Sequence, residues 1–310
     1  MKESLIALGR TLLRVSPVGV GTNSWGVHRS ADPGKQPAFD ALLSHGINFL
    51  DTAEIYTMGG SERTIGRCLA ALKAAGGSAA PEKTPVILSK FFPMPWRLRG
   101  QDLGSALKRS LSRLGMTSVD VYLLHYPMPP LALETWMHML ADAVEAGLAR
   151  SVGISNCDVE QTRRAHAVLA GRGIPLACNE VEYSLLRRGP ERSGLLSLCR
   201  DLQVTLIAYR PLAMGMLAGT YSPEHPPRGI RSVLFGRRFL ASIQPLLAVM
   251  RRIGERRGKS ISQVAVNWVM AKGALPIPGV KNERQARENA GALGWRLTAE
   301  ESSELEAACP

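Results

Sequence analysis

The chain has no apolar run approaching the ~20 residues that cross a bilayer. Nothing near its start reads as a leader, because Lys2 precedes only a weakly apolar stretch that Arg10 interrupts. These features predict a soluble, cytoplasmic protein with no secretory signal and no membrane partner. It also has no CxxC pair. The five cysteines, Cys68, Cys157, Cys178, Cys199 and Cys309, stand at wide, irregular spacing. An odd, scattered set argues against a disulfide framework and against a zinc site, and predicts reduced thiols and no metal. Although the net charge is +12, no dense basic block is interleaved with aromatics. Pairs such as Arg187-Arg188 and Arg256-Arg257 therefore read as solvated faces, and nucleic acid is not expected as a partner. The positive surface is expected to help attract a phosphorylated cofactor or substrate.

The chain further lacks a GxGxxG after its first apolar run, which argues against a Rossmann domain. No interdomain linker, low-complexity tract or long internal repeat breaks the sequence. A length of 310 residues fits a single domain over 1–310 with a few insertions.

What is present is an alternation. Short apolar runs occur at Val18–Val20, Ile47–Leu50, Val86–Leu88, Val119–Leu124, Ser151–Ile154, Leu176–Val181, Val204–Ala208 and Ala274–Ile277. Helical patterns separate them at Pro37–Ser44, Ser61–Ala75, Leu103–Leu114, Leu133–Ala146, Val159–Leu169, Arg192–Leu202 and Pro245–Arg257. Eight strand-like runs alternating with helices imply parallel βαβ units, and continuous apolar runs suit strands buried on both faces. The pattern predicts an α/β fold, a (β/α)8 TIM barrel. Leu5–Arg14, with Gly9-Arg10 in its middle, predicts an N-terminal hairpin capping one end. Extra helices are expected at Ser260–Lys272, with Ser260 or Ser262 as cap, and at Leu297–Ala308, where Thr298 and Glu301 form a capping box. Ala213–Phe235, rich in Gly, Pro, Arg and Met, reads as a long functional loop.

Chemistry in such a barrel gathers where the strands end, because the following loops converge on one rim. The runs end in Asp51, Lys90, His125, Ser155-Asn156, Glu180 and Tyr209, one polar group for each βα unit. Singly, each is an ordinary cap or structural hydrogen bond; six in phase point to a shared site. Tyr56 lies in the loop just past Asp51. A phenol is a poor acid near neutrality, and a neighbouring ammonium, Lys90, is expected to lower its pKa. Asp51 supplies Lys90 with a counter-charge, and His125 is able to polarise a carbonyl oxygen. Together they suit a proton donor for an oxyanion made by hydride addition.

These residues sit in stretches that resemble the aldo-keto reductase superfamily. The matching segments are DTAEIY (Asp51–Tyr56), LSK (Leu88–Lys90), VDVYLLH (Val119–His125), VGISN (Val152–Asn156), NEVEY (Asn179–Tyr183), YRPL (Tyr209–Leu212) and IPGVKNERQAREN (Ile277–Asn289). KFFPMPWR (Lys90–Arg97) and GIPLACN (Gly173–Asn179) are similar to segments of plant plastid and bacterial members. The resemblance implies an NAD(P)H-dependent oxidoreductase that reduces an aldehyde or ketone by hydride transfer, with Asp51, Tyr56, Lys90 and His125 as the catalytic tetrad and Tyr56 as proton donor.

It also implies a cofactor, NADPH with NADH open, lying across the rim. Gly21, Thr22 and Asn23 are expected below the nicotinamide, and Tyr209 stacked on it. Ser155, Asn156 and position 180 are expected at its carboxamide. Arg210, Pro211, Leu212 and Arg231 belong to the loop expected to close over the pyrophosphate. Gly279, Lys281, Asn282, Gln285, Glu288 and Asn289 are expected to hold the adenosine and its 2′-phosphate, Lys281 supplying charge and a helix near Asn282 its positive end.

The sequence departs from the family at two positions. Glu180 stands where Gln is usual, and ionised it would accept from the carboxamide NH2 while Ser155 and Asn156 donate to its C=O. Gln285 stands where some members carry Arg, which leaves Lys281, Arg284 and Arg287 as the charged candidates. Trp25, Phe92, Met94, Trp96, Tyr126 and Met128 suggest an aromatic, apolar pocket for a small carbonyl substrate, with aldehydes, ketones, aldoses and pyridoxal all open. The alternative reading is a cofactor-sensing binding subunit of the same fold; the complete tetrad favours the enzyme.

Overall fold

In a computed structural model that describes residues 4–27, 30–76, 84–97, 99–129 and 131–310, the chain begins with a two-stranded hairpin. Strand β1 (Ile6–Ala7) pairs antiparallel with β2 (Arg14–Val15), and Gly9, at φ +55°, takes the left-handed conformation between them. Eight parallel strands follow: β3 (Val20–Gly21), β4 (Phe49–Asp51), β5 (Val86–Phe91), β6 (Val119–Leu124), β7 (Ala149–Ser155), β8 (Leu176–Glu182), β9 (Thr205–Tyr209) and β10 (Leu275–Ile277). They lie in chain order, each beside the next. The sheet closes on itself where Gly19 N–H donates to the Pro276 carbonyl and Gly21 N–H to that of Pro278, both at 3.0 Å. This is a (β/α)8 barrel. The first barrel strand begins at Val20, two residues later than the apolar run, whose first residue, Val18, is buried in the core.

The helices are α1 (Gln36–Ser44), α2 (Gly60–Ala74), α3 (Gly100–Leu114), α4 (Leu133–Glu145), α5 (Val159–Ala170), α6 (Gly189–Arg192), α7 (Leu195–Asp201), α8 (Ile230–Leu234), α9 (Arg237–Ser242), α10 (Gln244–Arg257), α11 (Ile261–Ala271), α12 (Glu283–Ala290) and α13 (Ala299–Ala307). The helix expected over Arg192–Leu202 begins only at Leu195, as α7, after Gly194 at φ +80°, and Arg192 ends the separate short α6. The expected loop 213–235 carries a short 3-10 turn and α8 rather than irregular chain alone. Ser260, not Ser262, caps α11, accepting from Gln263 N–H, and Thr298 accepts from Glu301 N–H to cap α13. Such caps contribute about 1 kcal/mol each by satisfying donors the helix leaves free.

Two apolar layers follow from the period-two alternation of strand side chains. Residues facing outward, among them Leu50, Phe91, Tyr122 and Ile154, pack against the helices. Residues facing inward, including Phe49, Leu88, Leu123, Cys178, Ile207 and Ile277, fill the barrel, and Leu8, Leu13 and Val15 of the hairpin plug its lower end. Gly153 on β7 keeps this interior closed: an added Cβ would lie 2.6 Å from Leu123 Cδ2 and 2.8 Å from Cys178 Sγ. The rim above therefore rests on a dry floor. Among the described residues, no helix is long and apolar enough to cross a membrane, and no group of three or more His, Cys, Asp or Glu could hold a metal ion. The five cysteines are free, and four of them are buried.

Candidate active site

Alternation also aims the polar side chains. On β5, Ser89 turns outward and donates to Glu62 of α2 at 2.6 Å, so its neighbour Lys90 turns into the barrel. On β8, Asn179 turns outward to Thr162 of α5, and Glu180 turns in. Lys90 is fully buried there. Its ammonium donates to Asp51 Oδ1 at the end of β4, to the Thr52 carbonyl at 3.1 Å and to the Tyr56 hydroxyl at 3.4 Å. Burial alone would lower the Lys90 pKa, but Asp51 and Glu180 more than reverse that and raise it, so the ammonium is held charged.

The segment after β4 is fixed from several sides. Thr52 Oγ1 and Thr22 Oγ1 each share a hydrogen bond with Ser61 Oγ at 2.8 Å, and Thr22 donates to the Asp51 carbonyl at 2.7 Å. Just after Tyr56, three residues in a row take left-handed backbone, Thr57 at φ 48°, Met58 at φ 56° and Gly59 at φ 84°. Non-glycine residues rarely adopt this region, and holding them there requires surrounding contacts. One such contact is Thr57 Oγ1, which donates to the Trp25 carbonyl at 2.8 Å. On the other side of the loop, Glu54 accepts from Phe92 N–H at 2.8 Å and from the Arg97 guanidinium, which also donates to the Phe92 carbonyl at 2.8 Å. Sequence reasoning missed Ser61, the left-handed run and the role of Glu54 and Arg97, although Arg97 closes the KFFPMPWR segment.

His125 follows β6, in contact with three aromatic rings. Tyr56 meets it edge-on at 5.9 Å, Phe92 edge-on at 5.6 Å, and Tyr126 stacks on it at 5.3 Å. Burial first, and the Lys90 charge second, push its pKa down to about 3, so the imidazole is neutral near pH 7. Its Nδ1 is buried with no hydrogen-bond partner among the described residues. Tyr56 departs from expectation. Lys90 does pull its pKa down, but burial outweighs that and the Asp51 and Glu180 charges add to burial, so the phenol is raised well above its ordinary value.

Glu180 departs further. Its Oε2 lies 3.3 Å from Lys90 Nζ, and its side chain is 3% exposed. Burial first, and Asp51 second, raise its pKa to about 8. The ionised carboxylate expected from the sequence is thus corrected to a carboxyl group that favours its protonated form. The donors expected to flank it are engaged within the protein. Ser155 Oγ donates to the Glu180 carbonyl at 2.8 Å. Asn156 Nδ2 donates to the His125 carbonyl at 3.1 Å and to Ser155 Oγ at 3.0 Å, and Asn156 Oδ1 accepts from the Tyr209 hydroxyl at 3.0 Å. Buried donors find acceptors, and these are the ones within reach.

The remaining expected residues fall into two groups along the rim. Gly21 forms a parallel bridge with Gly279, which joins the first strand's end to the segment before α12. Thr22 is buried with its hydroxyl engaged as above, its N–H donating to the Asp51 carbonyl at 2.9 Å and its carbonyl accepting from Trp25 N–H and Ser61 Oγ at 2.8 Å, whereas Asn23 is exposed. Lys281 N–H donates to Gln285 Oε1, Glu288 accepts from Ser260 Oγ, and Asn289 Nδ2 donates to the Gly279 carbonyl at 3.3 Å. Asn282 caps α12 by accepting from Gln285 N–H at 3.0 Å. Arg287 pairs with Glu283 at 2.6 Å, which leaves Lys281 and Arg284 as the exposed cations of this patch. After β9, Arg210 is exposed and lies 3.5 Å from Glu182, Pro211 is buried, and Leu212 is half-buried against the core. The Arg231 side chain lies outside the described residues. Trp25 is corrected to a core residue, fully buried with its indole N–H on the Val280 carbonyl at 2.7 Å. Phe92, Met94, Tyr126 and Met128 are half-buried, and Trp96 is 73% exposed.

Residues 17–309 match the Aldo/keto reductase family. The chain belongs to that family. It is 39% identical over 308 residues to a chloroplastic pyridoxal reductase from Arabidopsis thaliana, covering 95% of this chain and 83% of the relative. Among solved structures it resembles an aldo-keto reductase from Klebsiella pneumoniae in complex with NADPH, with a TM-score of 0.75, 27% identity, and coverage of 99% of this chain and 96% of the other. A glycerol dehydrogenase from Gluconobacter oxydans shares the fold, with a TM-score of 0.86, 23% identity and coverage of 99% and 95%. This chain is accordingly an NAD(P)H-dependent oxidoreductase, of a family that acts on small carbonyl compounds.

Proposed function

We propose that this aldo/keto reductase uses NADPH to reduce an aldehyde or ketone to an alcohol, with Tyr56 as the proton donor. The observation that carries the reading is the buried chain Asp51–Lys90–Tyr56 with a neutral His125 alongside. The residues present fit a nicotinamide cofactor: His125 Nδ1 and Glu180 Oε2 are buried polar atoms with no hydrogen-bond partner among the described residues, and none of those residues stands within 4 Å of a Cβ added at Gly279. When bound, such a cofactor supplies the hydride. Tyr209, Ser155, Asn156 and Glu180 would hold its nicotinamide end, Gly21, Thr22 and Asn23 the backbone beside it, and Gly279, Lys281, Gln285, Glu288 and Asn289 the adenosine end. Arg210, Pro211, Leu212 and Arg231 would border the middle.

The chain's own residues then have separate tasks. Neutral His125 directs an imidazole nitrogen at the carbonyl oxygen and polarises it, as a donor fixed where charge develops. Tyr56 gives that oxygen its proton. Because its phenol is held protonated, it is in the donor form at any neutral pH. As the proton leaves, the Lys90 ammonium, already donating to the Tyr56 oxygen, stabilises the phenolate, and Asp51 holds Lys90 in place. Phe92 and Tyr126 beside His125 exclude water, which strengthens these interactions. Exposed Lys281 and Arg284 beside capped α12 suit a 2′-phosphate and favour NADPH over NADH.

A panel of carbonyl compounds beginning with pyridoxal, followed by NADPH oxidation, tests the reading. Turnover of at least one compound, abolished in Tyr56→Phe, is expected. Tight NADPH binding with no turnover of any compound would favour a cofactor-sensing subunit instead.

A further inference from the structure

Lys90 offers three N–H bonds. Asp51 Oδ1, the Thr52 carbonyl and the Tyr56 hydroxyl take one each. Glu180 Oε2 stands 3.3 Å from the same nitrogen, yet it receives no hydrogen bond from any described group. Its carboxyl group is also within hydrogen-bonding reach of Asp51. The titratable groups facing it are Asp51 from β4, Tyr56 from the loop after β4, Lys90 from β5, Tyr209 at the end of β9, and Cys178 two residues back on its own strand. His125, after β6, is neutral. Lys90 is the one cation in this set. Two ionised carboxylates beside one ammonium would leave a buried negative charge uncompensated, a costly arrangement.

A single proton removes both difficulties. Placed on Glu180, it turns the carboxyl group into a donor for Asp51 and leaves Asp51 and Lys90 as a balanced pair. We propose that Glu180 carries a proton and through it donates a hydrogen bond to ionised Asp51, and that loss of this proton to solvent switches the site from its reducing form to a resting one. The switching step rests on the reading of Tyr56 as proton donor; the charge balance does not. Ionised Glu180 adds negative charge near Tyr56 and opposes the phenolate that forms during proton donation. A glutamine in this place would donate equally well and never ionise. The carboxyl side chain thus makes the site responsive to pH, and burial with the Asp51 charge sets its midpoint near neutrality rather than in the ordinary carboxylate range.

Glu180 is therefore a positioning residue acting through Asp51 and Lys90, and a carbon-13 titration tests it directly. The full chain, labelled at glutamate carboxyl carbons and free of cofactor, is compared with Glu180→Gln. One resonance should titrate roughly two or more pH units above the others and be missing from the variant. Overturning results are that every glutamate titrates in the ordinary range, or that the outlier survives in Glu180→Gln. Should that variant not fold, Asp51→Asn removes the like charge, and the outlier should move down by about one unit or more; an unmoved midpoint would overturn the proposal.

The switch is then read from NADPH oxidation with a reducible aldehyde between about pH 6 and 10, where kcat of the unaltered chain should fall roughly tenfold per unit above the midpoint. Glu180→Gln, whatever its absolute rate, should show no such alkaline fall through that range. An identical alkaline limb in both would overturn the switch. No turnover at any pH, with the carboxyl outlier present, would overturn the reductase reading and the switching step with it while upholding the proton on Glu180.

Discussion

Lys90 Nζ stands 3.3 Å from Glu180 Oε2, and that contact reaches from β5 to β8 across the inside of the barrel. Asp51 approaches the same ammonium from β4. The site is thus built around one buried cation with more carboxyl groups than it can neutralise. Burial is the largest influence on the pKa values of Tyr56 and Glu180, and this crowding of charge adds to it; for Lys90 the carboxylates reverse what burial would do, and for His125 the Lys90 charge adds to burial.

Tyr56→Phe should lower kcat by about 10²–10⁴-fold, the usual contribution of a positioned proton donor. NADPH binding, followed by quenching of protein fluorescence, should change little, since the hydroxyl alone is removed. A kcat within a few-fold of the unaltered chain would assign the proton to another group.

The adenosine end offers a second test. With Arg287 held by Glu283, Lys281 and Arg284 are the cations left to meet a 2′-phosphate. Lys281→Ala should raise the dissociation constant for NADPH by roughly three- to tenfold, as expected for one solvent-exposed charge contact, and leave that for NADH unchanged. Equal effects on both would place the phosphate elsewhere.

His125 links the site to stability. Its folded-state pKa is lowered from 6.5 to about 3, so below pH 6.5 the unfolded chain binds a proton that the folded chain refuses. The sign follows: stability is fully present above pH 6.5 and is lost as pH falls toward 3. The loss amounts to about 5 kcal/mol, at ~1.36 kcal/mol for each pH unit separating the two values. His125→Asn should flatten this part of a plot of urea midpoint against pH. A slope equal to that of the unaltered chain would show the imidazole protonating freely in the fold.

The barrel was legible because its strands and helices obey different periods. Val119–Leu124 is strand over the very residues the apolar run marks, and Thr298 with Glu301 caps a helix as their spacing predicts. Strand-ending polar residues were legible for the same reason, since Lys90 and Glu180 must turn inward once Ser89 and Asn179 turn out. Legibility ended where tertiary charge decides. Nothing in the run around Tyr56 reveals that burial outweighs Lys90 in setting its pKa. Trp25 reads as a rim aromatic in sequence, yet it packs into the core, where its indole N–H meets the carbonyl of Val280, 255 residues later. Gly194, which divides α6 from α7, sits inside a helical pattern and marks the break by its backbone alone.

The balance between oxidised and reduced cofactor provides the last test. An ionised Glu180 would favour the positively charged oxidised ring over the neutral reduced one, and Glu180→Gln would then weaken NADP+ relative to NADPH at every pH near 7. With its pKa raised to about 8 by burial and Asp51, Glu180 is instead mainly protonated at pH 7 and has no charge to offer. Glu180→Gln should therefore leave the ratio of the two dissociation constants unchanged at about pH 6.5. At about pH 9.5 the unaltered chain carries the charge and the variant does not. There the substitution should weaken NADP+ relative to NADPH by at least about fivefold, because one charge at an effective dielectric near 20 is worth a few kcal/mol at contact and falls with distance. Paired fluorescence titrations with NADP+ and NADPH, at both pH values, measure the four ratios. A substitution effect already present at the lower pH would mean that Glu180 is ionised throughout.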